Sequence, residues 1–589
     1  MSEYVIGIDF GTSRSGFAYS FKGDPNQTIY GKEEWIDYKT NTSILIKKNK
    51  AGSYKDGAQL EEVVQFGNES LITYWELVNT NKGELYEAFV FYKMALYTSK
   101  NVTRALSGRK FQTVDVITLS LKHLKHFSIS HMKTKITQKI SLKKIHWVVT
   151  VPAIWSEKAK VMMKIACKNA GFVPDINDPN LSLIHEPEAA ALEGFYSSNP
   201  DVKKRIYKNG KVLILDAGSG TIDITVLKID FKNSKKNKKK KKSTPRIQVI
   251  IPAKGGSFGS YLIDQQFLSF LYKFLQNGNF ENSPDFIELF EKWKNEKHKT
   301  VMKYKNDHNT IGFRIDGTLY KKKSLRQLIK DWNKNKDSDD IKYIRQNKHN
   351  EIRLKKCFLY SLFKDPVNKV VETCNSVIEE YKTKLKHLNT ILMIGSYSNS
   401  EILFKKMRKH FKINNISVVV GTHPGRSIVM GAVRYGLTPQ VIKSRTYEYN
   451  YGLRWDPKFN EKIHKKIKRY KIHSSYLCKD VYKPLIKKNV SIPVDKEISY
   501  EMGSLGQNLN LEIFRTKKKL QDGKVYYIDD DEFEYFGRVI IENIKASRDK
   551  PVKIITKFIF GQTTITVKVI NTVTDQNYKD AIVSFEKIN

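Results

Sequence analysis

Two stretches of the chain share one pattern of apolar and polar positions. In the first, Tyr4-Val5-Ile6-Gly7-Ile8 ends on Asp9, and Phe10-Gly11-Thr12-Ser13-Arg14-Ser15 leads into Gly16-Phe17-Ala18-Tyr19. In the second, Val212-Leu213-Ile214-Leu215 ends on Asp216, and Ala217-Gly218-Ser219-Gly220-Thr221 leads into Ile222-Asp223-Ile224-Thr225-Val226-Leu227. An unbroken apolar run suits a strand buried on both faces, and the β-branched run after each turn suits its returning partner. Each stretch is therefore predicted to be a strand, a tight glycine turn and a second strand. One such turn alone reads equally well as a plain hairpin. Two of them, each with an aspartate at the end of its buried strand, predict two related halves that face each other across one ligand.

The turns carry the chemistry. Glycines let amide N–H groups approach an anion, and Thr12, Ser13, Ser219 and Thr221 add hydroxyl donors. A carboxylate beside a phosphate cradle makes sense when a hydrated Mg²⁺ lies between them.

The rest of the first 440 residues alternates strands and helices. Trp147–Pro152 is predicted as a strand stopped by proline, followed by a helix capped by Ser156 and closed by Gly171. Leu181–His185 is predicted as a strand entering a helix at Glu186-Pro187, which aims Glu186 from a strand end, where α/β sheets place ligand chemistry. A long polar, helical stretch is expected over 262–385, and Asp337–Asp340 reads as a loop. Ile391–Ile394 with Gly395 and Ser396 is a further strand and turn, at which glycine would let a flat ring or ribose lie on the backbone. Pro424–Ser427 opens a helix to Gly436. Residues 114–140 read as a helix whose His123, His126 and His131 are expected to be solvated rather than metal-bound. Lys93, in Phe89–Leu96, reads on spacing alone as a surface charge, although it could reach a phosphate. From about 443 the pattern turns to alternation broken by turns, which predicts an all-β domain, a sandwich.

Composition narrows the class. The 589 residues allow several domains, and no apolar run approaches the roughly 20 residues of a membrane span. Four scattered cysteines without a C-x-x-C pair fit a reduced interior and no structural zinc. The formal net charge of +42 raises nucleic acid as a partner, but the lysines are diffuse. Only Lys232–Lys242 is dense, with eight lysines in eleven residues, and it is expected to form a solvated loop.

These motifs, in this order, resemble the heat shock protein 70 family of the actin-like ATPase superfamily. The likeness rests on Asp9–Ser13, Val149–Ala153, Glu186–Ala191, Asp216–Asp223, Ile394–Ser396 and Gly431–Val433, and it is most similar to the divergent type-twelve branch through Phe91–Leu96 and Trp147–Trp155. It implies a two-lobed α/β ATPase domain of ribonuclease H-like repeats over 1–440, with one lobe at about 1–205 plus 412–440 and the other at about 206–411. It implies a β-sandwich substrate domain over 445–589, part of which Pro484–Pro493 resembles; the family's helical lid is expected to be absent. ATP or ADP with Mg²⁺ are the implied cofactors, with K⁺ as a further candidate.

The resemblance gives each residue a role. Asp9 and Asp216 would hold Mg²⁺ through waters. Gly11, Thr12, Ser13, Gly218, Ser219, Gly220 and Thr221 would cradle phosphates. Lys93, Glu186, Asp223, Asp216 and Thr221 would serve catalysis. Glu291 and Lys294 would flank adenine, while Gly395 and Ser396 would line adenosine. Protein or peptide clients, nucleotide-exchange or J-domain-type co-chaperones, a stress-response role and a cytoplasmic location are implied as well, with Lys232–Lys242 allowing nuclear entry.

The sequence also departs from the family pattern. Ser219 and Ser396 stand where the family has glycine, so slow turnover is expected. No acidic-leucine linker lies between Leu437 and Arg445, and no acidic tail is seen, so coupling of ATP to the β domain is in doubt. The rival readings are a nucleotide-sensing scaffold without significant turnover, a basic nucleic-acid-binding protein, and a sugar kinase of the same superfamily.

Overall fold

The computed structural model describes residues 2–30, 38–48, 60–98, 100–135, 140–196, 210–232, 244–278, 280–282, 284–297, 310–320, 323–334, 344–346, 350–421, 423–472, 474–504, 508–541, 552–571 and 577–581. They divide into two compact units, 1–225 with 254–439, and 226–253 with 440–589. The division falls inside the strand Ile222–Lys232, so the second unit includes a segment from the middle of the sequence. The lysine run Lys232–Lys242, the Asp337–Asp340 loop and the last expected strand past Ala581 lie outside the described residues or at their edge.

The first unit repeats one topology. Tyr4–Phe10 pairs antiparallel with Arg14–Phe21 and parallel with Ile145–Val151, which pairs parallel with Leu181–His185. In the second half Lys211–Ala217 lies beside Ile222–Lys232 and pairs parallel with Thr390–Ile394, which pairs parallel with Ser417–Val420. Tyr4–Phe10 and Ile145–Val151 are buried at every position, as strands covered on both faces must be. The helices Thr113–Lys135 and Glu157–Asn169 contribute to the same core as the first sheet. Ser156 caps the second of these, accepting from Ala159 N at 3.2 Å, and Gly171 closes it at φ 73°.

Two helices approach each other closely. A Cβ on Gly431, in the helix Ser427–Leu437, would fall 1.7 Å from the carbonyl oxygen of Ala189, in the helix Glu186–Tyr196. Beside this contact Glu193 lies 3.5 Å from Arg434. Burial raises the Glu193 carboxyl to about 7, against the opposing pull of Arg434. A carboxyl whose folded pKa is raised is penalised once it ionises, so its contribution to stability is lost as pH climbs from about 4.5 to about 7. Glu193→Gln should flatten the stability profile in that window and raise the melting temperature at pH 8. A melting curve measured across pH checks this, and an unchanged slope would count against it.

Three expectations need correction. Lys93 is buried, which overturns the surface reading from spacing alone and leaves the role that the resemblance implies open to it. His123 packs between Phe66 and Phe127, and burial lowers its pKa to about 4; it is not a solvated histidine. The region 262–385 is not wholly helical, because Thr310–Arg314, Ile344–Gln346 and Glu351–Lys355 form a small antiparallel sheet. Short strands among lysines and asparagines leave no alternation long enough to read.

In the second unit, Thr244–Val249 pairs parallel with Ile442–Thr446, which pairs antiparallel with Ser491–Pro493. Two four-stranded antiparallel sheets follow. One orders Val481–Ile486, Asn450–Trp455, Leu509–Thr516 and Phe533–Ile541; the other orders Lys496–Ser504, Val552–Phe560, Thr566–Asn571 and Asn577–Ala581. Leu453, Ile513 and Val539 of the first share an apolar core with Phe558, Val567 and Val569 of the second. The hairpin Arg469–Ile472 with Ser475–Cys478 is an addition that the sequence pattern did not reveal.

Candidate nucleotide site

A cavity of 370 Å³ in the first unit is lined by every residue singled out from the sequence except Asp223, which is 1% exposed and buried outside the lining. Its size, and the charged and hydroxyl groups placed along its wall, suit a small-molecule ligand.

The two glycine turns meet there. Gly11 has to be glycine, since a Cβ would stand 2.2 Å from the Arg14 carbonyl oxygen. The second turn is closed by Gly218 N on Thr221 O at 3.0 Å. The next helix is tied to this turn by Ser260 N on Gly218 O and Tyr261 N on Ser219 O, at 3.1 and 2.9 Å. Ser13 Oγ donates to Ser219 Oγ at 2.5 Å and so bridges the turns.

Acidic side chains converge behind them. Asp9 accepts from Thr150 Oγ1 at 3.2 Å and from Lys39 Nζ at 2.5 Å. Glu186 accepts from Lys93 Nζ at 2.9 Å, and Lys93 sits 5.1 Å from the centre of the Trp155 ring. Asp223 accepts from Ile154 N at 2.9 Å. Burial raises the Glu186 carboxyl, and Lys93 pulls it back. Burial, then the charges of Glu186, Asp223 and Asp9, hold Asp216 well above the usual carboxylate range. Burial and Glu186 push Asp223 up to about 7.

Asp216 Oδ2 and Asp223 Oδ2 are buried without a hydrogen-bond partner. Buried carboxylate oxygens without a partner either keep their proton, as the raised Asp216 and Asp223 carboxyls do, or are compensated by a cation. Among the described residues no group of three His, Cys, Asp or Glu side chains is arranged to hold one ion directly. The two unpartnered carboxylate oxygens fit the water shell of a cation such as Mg²⁺.

The other end of the cavity carries Glu291, Lys294, Gly395 and Ser396. Glu291 pairs with Lys294 and accepts from Asn41 Nδ2 at 3.3 Å. Gly395 has φ 81°, and a Cβ there would lie 2.5 Å from both Ala217 O and Asp216 Oδ1. Sequence reasoning missed Lys39, Asp264 and Lys297. Lys297 Nζ bonds both oxygens of Asp264, at 2.6 and 2.7 Å, and Trp293 Nε1 donates to the same carboxylate at 2.8 Å. Trp293 and Lys297 stand one helical turn apart, which was the available signal; Lys39 had none in a chain so rich in lysine.

The family model described as Hsp70 protein matches residues 85–235, which include Lys93, Glu186, Asp216 and Asp223. The chain is 23% identical to the human Heat shock 70 kDa protein 12A, over 83% of its own length and 77% of that relative. It is 19% identical to the human Heat shock 70 kDa protein 12B, over 84% and 77%. The family-model match and these likenesses over most of the chain support a divergent member of the heat shock protein 70 family. A shorter likeness, 26% identical over 39% of the chain and 30% of the relative, joins it to Chaperone protein DnaK of Mycoplasmopsis pulmonis strain UAB CTIP. The same findings support an Hsp70 actin-like ATPase domain in this chain. Among the described residues no helix is long and apolar enough to cross a membrane.

Proposed function

We propose that this Hsp70-family chain binds ATP with Mg²⁺ in the cavity, hydrolyses it slowly, and acts as a chaperone that holds protein or peptide clients on its C-terminal sheets. The observation that carries the reading is the convergence of both aspartate-bearing glycine turns and the buried Lys93–Glu186 pair on one cavity. The site division follows the same proposal: lobes at about 1–205 plus 412–440 and 206–411, then a β-sandwich substrate domain at 445–589. The segment 226–253 joins that second unit. Co-chaperone partners and a cytoplasmic location belong to the proposal too.

The chain's own groups supply most of the chemistry. Backbone amides of the two turns, with Thr12, Ser13 and Thr221, orient the phosphates. Asp216, and Asp9 once Lys39 is displaced from it, would hold the water shell of Mg²⁺, which would neutralise phosphate charge. Glu186 and Asp223 orient the attacking water for in-line displacement, and Lys93 offsets charge that develops at the phosphorus oxygens. Glu291 and Lys294 flank the base, with Gly395 and Ser396 at the ribose.

A second reading is favoured by one observation. Ser219 adds a side chain to the phosphate turn and spends it on Ser13, a contact that would hold nucleotide without promoting turnover. Calorimetry with ATP, with and without Mg²⁺, followed by turnover on the same sample, separates the two. Asp216→Asn should lower ATP affinity in Mg²⁺ to its Mg²⁺-free value. Full Mg²⁺-dependent affinity in that variant would remove Asp216 from the metal site.

A further inference from the structure

We propose that Lys39 is a built-in cation of this site, paired with Asp9 in place of metal, and that it makes nucleotide binding only weakly dependent on divalent ions; this rests on the ATP reading above. The two turn aspartates are equivalent in position but not in saturation. Asp9 has both oxygens occupied, one by Thr150 and one by Lys39. Asp216 keeps Oδ2 buried and unpartnered. The Lys39 side chain is 12% exposed and that of Asp9 3%, so the pair is shielded from bulk solvent.

The backbone builds this lysine into place. Lys39 lies opposite Gly16 in the pairing of Lys39–Asn41 with Arg14–Phe21. A Cβ on Gly16 would stand 2.9 Å from Lys39 Cγ and 2.7 Å from the Tyr38 carbonyl oxygen. The glycine thus leaves the channel through which the lysine stem reaches Asp9. Tyr38, at φ 58°, turns the chain into that strand.

The physical consequence follows from competition. An ammonium is a compact point charge, and one tethered by its own chain needs no recruitment from solution. A hydrated divalent ion approaching Asp9 has to displace it. In the absence of metal, incoming phosphates meet one carboxylate that is already neutralised.

The experiment is an ADP titration by calorimetry on the full chain, in EDTA and in millimolar Mg²⁺, for wild type, Lys39→Met and Lys39→Arg. Wild type should gain no more than about tenfold in affinity from Mg²⁺. Lys39→Met should bind more weakly in EDTA and gain about a hundredfold or more from Mg²⁺, since truncating one member of a desolvated charge pair has effects of this size. Lys39→Arg keeps the charge and should follow wild type; it also serves if the methionine variant does not fold, because a wild-type gain near a hundredfold alone overturns the proposal. An unchanged Mg²⁺ gain in Lys39→Met overturns it equally. Absence of ADP binding under every condition would instead defeat the ATP reading and this inference with it, a result distinct from ordinary Mg²⁺-dependent binding.

Discussion

Lys93→Met should lower ATP turnover by about a hundred- to a thousandfold, the scale of losing one preorganised charge at a developing oxyanion. Binding should change far less, because the phosphate turns and the base end of the cavity remain. Methionine keeps an unbranched stem of similar length in the buried position, while the ammonium that lies 5.1 Å from the centre of the Trp155 ring is lost. What it removes is the ammonium 2.9 Å from Glu186 Oε1, in a pair where Lys93 is 2% exposed. Glu186 would then be buried beside Asp9 without its closest cation, so some loss of thermal stability should accompany the change. Lys93→Arg restores charge and should recover stability more than turnover, since a guanidinium does not fit the same point. Single-turnover kinetics with calorimetry decides the matter. Turnover that stays at the wild-type rate in Lys93→Met would make the lysine a structural partner of Glu186 and nothing more.

Gly431→Ala should be among the most damaging single methyl groups in the chain. The new Cβ would meet backbone, 1.7 Å from Ala189 O and 2.2 Å from Ala189 C, so no rotamer change relieves it. The helices Ser427–Leu437 and Glu186–Tyr196 have to separate. Forced overpacking of this kind costs about 1–3 kcal/mol, or more where backbone has to move. The second helix begins at Glu186, so the displacement should also reach the cavity and weaken nucleotide binding. Gly23→Ala is the control, because its Cβ would meet nothing within 4 Å. Thermal unfolding of both variants checks this, and equal melting temperatures would mean the helices adjust freely.

What could be read from the sequence was local. Each aspartate hairpin is encoded within about sixteen consecutive positions, by an apolar run, an acid, a glycine turn and a β-branched return. That was enough to bring both turns to one site. Ser156 and Gly171 marked the ends of their helix for the same reason. Spacing alone read Lys93 as a surface charge, because its burial depends on Glu186, which lies far along the chain and on a different strand end; the family resemblance is what brought it into the site. Lys39 was missed because its role depends on an unremarkable glycine in the paired strand. Residues 226–253 gave no sign that they belong with the C-terminal unit, since parallel pairing leaves no turn signal to connect partners.

That last pairing bears on how the protein is made and how it can be cut. Thr244–Val249 leaves the ribosome long before Ile442–Thr446 exists to receive it. The C-terminal unit therefore cannot finish until one of its strands has waited through the synthesis of most of the second half of the ATPase domain, and closing so long a loop is slow. A fragment beginning near residue 440 would carry Ile442–Thr446 with one edge stripped of its natural neighbour. Such an edge recruits strands from other molecules, so that fragment should self-associate unless 244–249 is fused ahead of it.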